Sequence, residues 1–261
     1  MRRTSGRRSL RVDRNTTATD FLDAAIQLLH RVGETQAENI AAAGGLLAES
    51  AARDGRLFAF GAGHSSLAAQ DVVHRAGGLA VMNLLAVPGT VGVDVHPATL
   101  GGGLERLPGL AATVLDASPA RAGDALVVVS LSGRNALPVE MAERARARGL
   151  RVVGVTSTAY AAQTVSRHAS GTFLKDHCDV VVDSSVPVGD TTLAHPGVPA
   201  PFAPASTVVA CALLQAVVAA AVGDLAARGI EPPLLRSGNV DGGQDWNTRV
   251  LREHREHVFH S

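Results

Sequence analysis

The chain has 261 residues, 46% of them hydrophobic, with 24 Lys and Arg against 24 Asp and Glu, so it can bury a sizeable core and carries no net field that would recruit nucleic acid or anionic lipid. Any anion must be caught locally. The two cysteines, Cys178 and Cys211, lack CxxC or Cys/His metal spacing and read as small buried hydrophobes of a reducing compartment, while a Schiff-base mechanism has a single candidate amine, Lys175.

Residues 1–14 carry six arginines and have no apolar segment behind them, which argues against a secretory signal. A disordered basic arm over 1–18 is expected, with nucleic-acid contact the lesser alternative. Residues 19–54 then read as helical: Phe21, Leu22, Ala25, Ile26, Leu29 and Val32 recur at helical spacing behind an N-cap at Thr19 or Asp20. Gly33 and Gly44-Gly45 are the expected breaks in this helical arm. It holds too few helices for a helix-turn-helix module.

The apolar run 57–60 feeds Gly61-Ala62-Gly63-His64, and Ser65-Ser66 open a helical pattern over 67–75 that ends at Gly77-Gly78. A strand, a glycine turn and a helix start expose free backbone N–H groups beside the positive end of a helix dipole, an arrangement suited to phosphate. A strand over 79–83, an irregular glycine-rich loop over 88–103 and a short helix within 104–115 follow. The same anion-binding design returns at 125–135: an apolar strand, Ser130-Leu131-Ser132-Gly133-Arg134, then Asn135 as the expected helix cap with Pro138 in the first turn. Strands over 151–156 and 178–183 and a long helix over 205–228 complete the pattern. Its most apolar part, 207–222, is shorter than the ~20 residues of a bilayer span and is interrupted by Gln215, so a buried core or interface helix is expected and no membrane. Alternating strands and helices imply a three-layer α/β fold, a doubly wound parallel sheet with its ligand at the carboxyl ends of the strands.

Neither loop fits the nucleotide motifs. Ser66 stands where GxGxxG needs its third glycine, no acid ends the second strand, and no GK[ST] is present. Two phosphate-style loops in one chain point instead to a sugar phosphate. Gly63-x-Ser65 with Ser130-x-Ser132-Gly133-x-Asn135, continued by the alanine-rich helix 140–149 and Val152-Val-Gly-Val-Thr156, resembles the sugar isomerase (SIS) domain family over about residues 55–225. Further stretches, Arg75-Ala-Gly-Gly78, Ser166-Arg-His168 and Arg236-Ser-Gly-Asn239, are similar to a narrower group of stand-alone SIS proteins.

The resemblance implies a flavodoxin-like SIS domain over 55–229, flanked by the arm and by a 230–261 tail packing near the active site. It implies Ser65, Ser66, Ser130, Ser132 and Asn135 as phosphate ligands, with Gly63 and Gly133 letting backbone N–H groups approach; ordinary turn chemistry is the bland alternative. Arg134 either adds a charged contact or faces water. Arg236 and Asn239 are expected to fold over the pocket, or else to dock structurally. The glutamates that SIS isomerases commonly use are missing: Arg75 stands at one position and the 96–100 segment at the other. The remaining acid-base candidates are Asp71, His64, His96, His74 and His168, the first three favoured, although Asp71 and Arg75 at i, i+4 suit a plain ion pair. His168 orders a loop in the competing reading, and His254, His257 and His260 read as tail residues, so no metal is expected. No cofactor is implied.

The function implied is processing of a hexose 6-phosphate, of the glucosamine 6-phosphate or N-acetyl type, by C2 proton abstraction leading to dehydration, lyase or isomerase chemistry. A non-catalytic phosphosugar sensor is the alternative. A cytoplasmic homo-oligomer is expected.

Overall fold

The computed structural model describes residues 16–92, 97 and 99–259, so most of the basic arm, and His96, lie outside the described residues. Five parallel strands, β1 (Leu57–Gly61), β2 (Met82–Leu84), β3 (Ala125–Val129), β4 (Arg151–Thr156) and β5 (Val180–Asp183), form one sheet in the order β2-β1-β3-β4-β5. The helices are α1 (Thr16–Thr35), α2 (Ala37–Ala52), α3 (Ser65–Asp71), α4 (Thr99–Leu104), α5 (Leu110–Ala117), α6 (Ala136–Ala147), α7 (Thr158–Gln163), α8 (Ser206–Ala227) and α9 (Gly243–Glu253).

Strands β1 and β3 are apolar throughout because both faces are covered. Leu57 and Ala59 of β1, with Val127 and Val129 of β3, point into a core built with α2, α3 and α8. Phe58 and Phe60, with Leu126 and Val128, point the other way into a core shared with α5 and α6. Phe60 is fully buried and Phe58 is 2% exposed, and each such side chain contributes about 1.5–3 kcal/mol of transfer free energy.

The helical arm differs from expectation in how it is broken. Helix α1 runs through Gly33, and the chain turns at Gln36, whose amide oxygen accepts the Asp183 N–H at 3.0 Å and so satisfies β5. Gly44 lies inside α2, where it permits close contact with α8: a Cβ there would sit 2.5 Å from that of Ala220. Helix α2 is therefore one wall of the sandwich, and its Leu46 and Leu47 are core residues. Helix α8 is long and apolar enough to cross a membrane, yet Val209, Leu213 and Val217 are buried against the sheet layer. The loop expected over 88–103 ends in a helix of its own, α4, and the helix expected within 104–115 starts only at Leu110, as α5, with Gly109 at its N-cap.

The C-terminal tail packs at the opposite end from the one expected. It runs antiparallel beside Leu79, ahead of β2, and then reaches Asn83, whose amide donates to the His257 carbonyl at 2.8 Å and accepts the Phe259 N–H at 2.7 Å. Phe259 stacks on Phe58 at 6.2 Å, and Arg56 lies over the Phe259 ring. These contacts lie at the amino ends of β1 and β2, because the apolar surface left open there is what an aromatic tail can cover.

Candidate functional site

Strand order reverses between β1 and β3, the point at which an open α/β sheet leaves a crevice at its carboxyl ends. Gly61 pairs with Val129, so the loops that follow these strands start side by side. Between them opens a cleft of about 260 Å³ whose wall includes His64, Ser65, Ser130 and Ser132.

In the first loop Gly63 has φ +55° and donates its N–H to the Thr90 carbonyl at 2.7 Å. That N–H is spent within the protein, contrary to the role expected of it, and the glycine serves the turn. Ser65 opens α3, and its hydroxyl has no partner among the described residues. Ser66 differs from the expected ligand: it is fully buried, donates to the Gly63 carbonyl at 2.7 Å and accepts the Gly92 N–H at 2.6 Å. It ties the first loop to the segment beyond β2 and has no face toward the cleft.

In the second loop the Ser130 hydroxyl accepts the Gly133 N–H at 3.2 Å, and Ser132 keeps a free hydroxyl among the described residues. Gly133 also has φ +55°, and a Cβ there would meet Thr156 Oγ1 at 2.8 Å. Asn135 stands at the N-cap of α6 without making the side-chain cap. Its Nδ2 donates to Glu105 Oε2 at 2.8 Å, and its Oδ1 accepts from Arg167 at 3.3 Å. Arg134 does not line the cleft; its Nε is buried and without a partner among the described residues.

Sequence reading assigned no role to Glu105, yet it lines the cleft. Its carbonyl accepts the Leu137 N–H at 3.0 Å, which pins the residue to the first turn of α6. The carboxylate lies between the loops: Oε2 holds Asn135, and Oε1 is so close to Gly63 that a Cβ there would be 3.1 Å away. The available signal was a lone acid two residues after the glycine run 101–103. Asp190 was missed too. At φ +54° it aims its carboxylate at the start of α8, accepting from Ser206 N–H at 2.9 Å and Ser206 Oγ at 2.5 Å, and so performs the capping that Ala205 cannot. Tyr160, whose hydroxyl accepts the Gly189 N–H at 2.9 Å, fixes the neighbouring turn of the same wall.

Other expected residues lie elsewhere. Asp71 ends α3, roughly 9 Å along the axis from Ser65, where it pairs with Arg75 and accepts from Gln215 Nε2 at 2.8 Å. The ion-pair reading holds, and Asp71 is absent from the cleft wall. His64 is exposed on that wall. His168 orders its loop, with Nδ1 at 2.7 Å from Ser170 Oγ and Nε2 at 3.8 Å from Glu140. Arg236 stacks on Trp246 at 3.6 Å and Asn239 lies in the exposed turn beyond it, so neither lines the cleft of its own protomer. Burial pushes the Cys178 thiol up to about 12, consistent with a packing role.

A parallel sheet of this order, with two serine loops facing a cleft at its switch point, defines the SIS class of α/β proteins. The chain belongs to the SIS domain family, whose model matches residues 20–157. More narrowly it belongs with the UPF0309 proteins: one from Streptomyces coelicolor is 71% identical over 93% of this chain and 97% of its own length, and one from Listeria innocua is 35% identical over 92% and 96%. Among solved structures, the phosphoheptose isomerase GmhA of Neisseria gonorrhoeae aligns with a TM-score of 0.52 at 20% identity, covering 79% of this chain and 97% of its own. The Vibrio vulnificus NanR protein complexed with ManNAc-6P aligns at 0.50 and 15% identity, covering 93% and 70%. At these identities the likeness is one of fold.

Proposed function

We propose that the cleft binds a hexose 6-phosphate of the glucosamine 6-phosphate or N-acetyl type, and that Glu105 is the base that removes its C2 proton. The observation carrying this reading is the Glu105 carboxylate held between the two serine loops. The free hydroxyls of Ser65, at the start of α3, and of Ser132, in the loop that leads into α6, suit a phosphoryl group. His64 is placed to add a charge-assisted donor.

With the phosphate anchored and the ring open, Glu105 takes the C2 proton and the C2–H electron pair moves toward the C1 carbonyl, giving an enediol-type intermediate. Returning the proton to C1 isomerises the sugar, whereas expelling the 3-substituent eliminates it. A sugar phosphate ligand is in keeping with the ManNAc-6P held by the NanR neighbour, and isomerase chemistry with the phosphoheptose isomerase neighbour. Assembly into a homo-oligomer belongs to the same proposal: Leu22 and Ile26, one turn apart on α1, are 59% and 50% exposed and offer an apolar stripe to a second copy.

A binding-only sensor is the second reading, favoured by the fact that both cleft carboxylates, Glu105 and Asp190, already accept hydrogen bonds. Incubation with glucosamine 6-phosphate and its N-acetyl form in deuterated water, followed by NMR, separates the two. Loss of the C2 proton signal supports the enzyme; saturable binding with a static proton supports the sensor. Absence of binding removes both.

A further inference from the structure

Behind the cleft lies a second, much smaller pocket of about 20 Å³, at the carboxyl ends of β4 and β5 where α8 begins. It shares Ser65 with the cleft, and Ser184 and Thr207 complete the wall that matters. Ser184 follows β5 and is locked in place by its N–H, which donates to the Thr156 carbonyl at 2.8 Å. The residue is 3% exposed, and its hydroxyl is sealed from solvent without a hydrogen-bond partner among the described residues. Buried hydroxyls are normally satisfied, because desolvating one without a partner is unfavourable. Something must therefore supply the missing partner.

The walls define what that is. Ser65 and Thr207 also carry hydroxyls without partners among the described residues, so three residues whose side chains can each donate and accept line one small space. No charged side chain lines it; Asp190, a carboxylate of the neighbouring cleft wall, is taken up by the N–H groups of Ala205 and Ser206 where α8 begins. A cation would lack a counter-charge there, and a polyatomic anion such as phosphate would not fit. The volume exceeds the ~10–15 Å³ that one water needs and leaves room for nothing larger.

We propose that the inner pocket is a one-hydroxyl subsite: it takes a single uncharged hydroxyl oxygen, held by Ser184, Thr207 and Ser65. The oxygen comes either from an enclosed water or from a hydroxyl of the bound ligand. Because Ser65 faces both spaces, the occupant sets the direction of a hydroxyl that also faces the cleft. That link to ligand binding rests on the phosphosugar reading, whereas occupancy of the pocket does not.

The test is a pair of high-resolution crystal structures of the full chain, without ligand and with glucosamine 6-phosphate, together with Ser184→Ala and calorimetric affinities for the same sugar phosphate. The expected result is an ordered oxygen about 2.7–3.2 Å from Ser184 Oγ in wild type and its loss in the variant. If the oxygen is present before the sugar and stays, and the variant binds the sugar as wild type does, the occupant is water. If a sugar hydroxyl replaces it and the variant binds roughly 3–10-fold more weakly, the occupant is the ligand. An empty pocket in both wild-type structures, with Ser184 Oγ turned onto a backbone carbonyl, overturns the proposal. A filled pocket in a protein that binds no sugar phosphate upholds it and removes the phosphosugar reading instead.

Discussion

Glu105→Gln separates the structural duty of this side chain from its proposed chemical one. The carboxylate accepts the Asn135 amide at 2.8 Å, and the amide oxygen of glutamine can accept the same bond. A charge-assisted bond is worth about 1.5–3 kcal/mol and its neutral counterpart about 0.5–1.5, so the substitution weakens the tie between the loops by about 1 kcal/mol. For a chain of this size that lowers Tm by only about 2–4 °C. Proton abstraction has no such fallback, since an amide is not a base at neutral pH. Loss of a positioned general base typically slows the step by about 10²–10⁴-fold, or about 2.7–5.5 kcal/mol on the barrier. The assay is C2 proton exchange of glucosamine 6-phosphate in deuterated water, with calorimetry to follow affinity and scanning calorimetry to follow Tm. The expected pattern is a slow variant that binds within a few fold of wild type and melts within a few degrees of it. Exchange within tenfold of wild type would show that Glu105 is not the base. A collapse of affinity matching the loss of rate would make it a loop strut and nothing more.

Gly133→Ala places a Cβ at φ +55° and 2.8 Å from Thr156 Oγ1, so left-handed strain and crowding together cost about 2–4 kcal/mol; a Tm equal to wild type would refute that geometry. Asn83→Ala removes the amide whose two N–H groups are shared among the Leu57, Val81 and His257 carbonyls and whose oxygen accepts the Phe259 N–H, the equivalent of three bonds and about 2–4 kcal/mol together. The expected result is a Tm lower by about 5–15 °C with faster proteolysis of the C-terminal tail, and a tail equally protected in the variant would show that it docks by other means. Burial, with His257 as a further cause, holds His254 below its ordinary 6.5, so the folded state binds fewer protons at this site than the unfolded state. Its contribution is therefore fully present above about pH 6.5 and declines as pH falls through that value. His254→Asn should flatten that part of the stability curve between pH 7 and pH 5, and an unchanged slope would show that other groups set it.

The strands that build the site were legible because each is an apolar run long enough to be covered on both faces. Residues 125–129 and 151–156 correspond to β3 and β4 without adjustment, and the loop glycines and serines that follow β1 and β3 stand where a strand-turn-helix unit puts them. Helix ends in glycine-rich stretches were harder. Gly44 reads as a breaker by propensity, yet its lack of a side chain is what lets α2 meet α8, so packing overrode propensity there. The tail failed for a related reason. Arg236 and Asn239 are polar residues in a glycine-bearing segment, which suits a lid equally well, and only the position of Trp246 shows that Arg236 has an aromatic platform to lie on.

The division between what was readable at the cleft and what was not follows from chain separation. Ser65, Ser130 and Ser132 each follow a strand end by no more than four residues, so a local pattern carries both their identity and their position. Glu105 and Asp190 stand outside any strand or helix, in segments with no hydrophobic period, and each is placed by a contact made far along the chain: Leu137 N–H and Asn135 for the first, Ser206 for the second. A one-sided motif therefore finds the groups proposed to bind, while the group proposed to react is set by the packing of α6 against the glycine-rich loop. Asp71 makes the converse point. It sits on a motif-bearing helix and attracts a catalytic reading by proximity in sequence, but one α-helical turn beyond Ser65 and more already carries it out of the cleft and into reach of Arg75 and Gln215. In a switch-point cleft, distance along the axis of the first helix is a stronger constraint on which acid can act than distance along the chain.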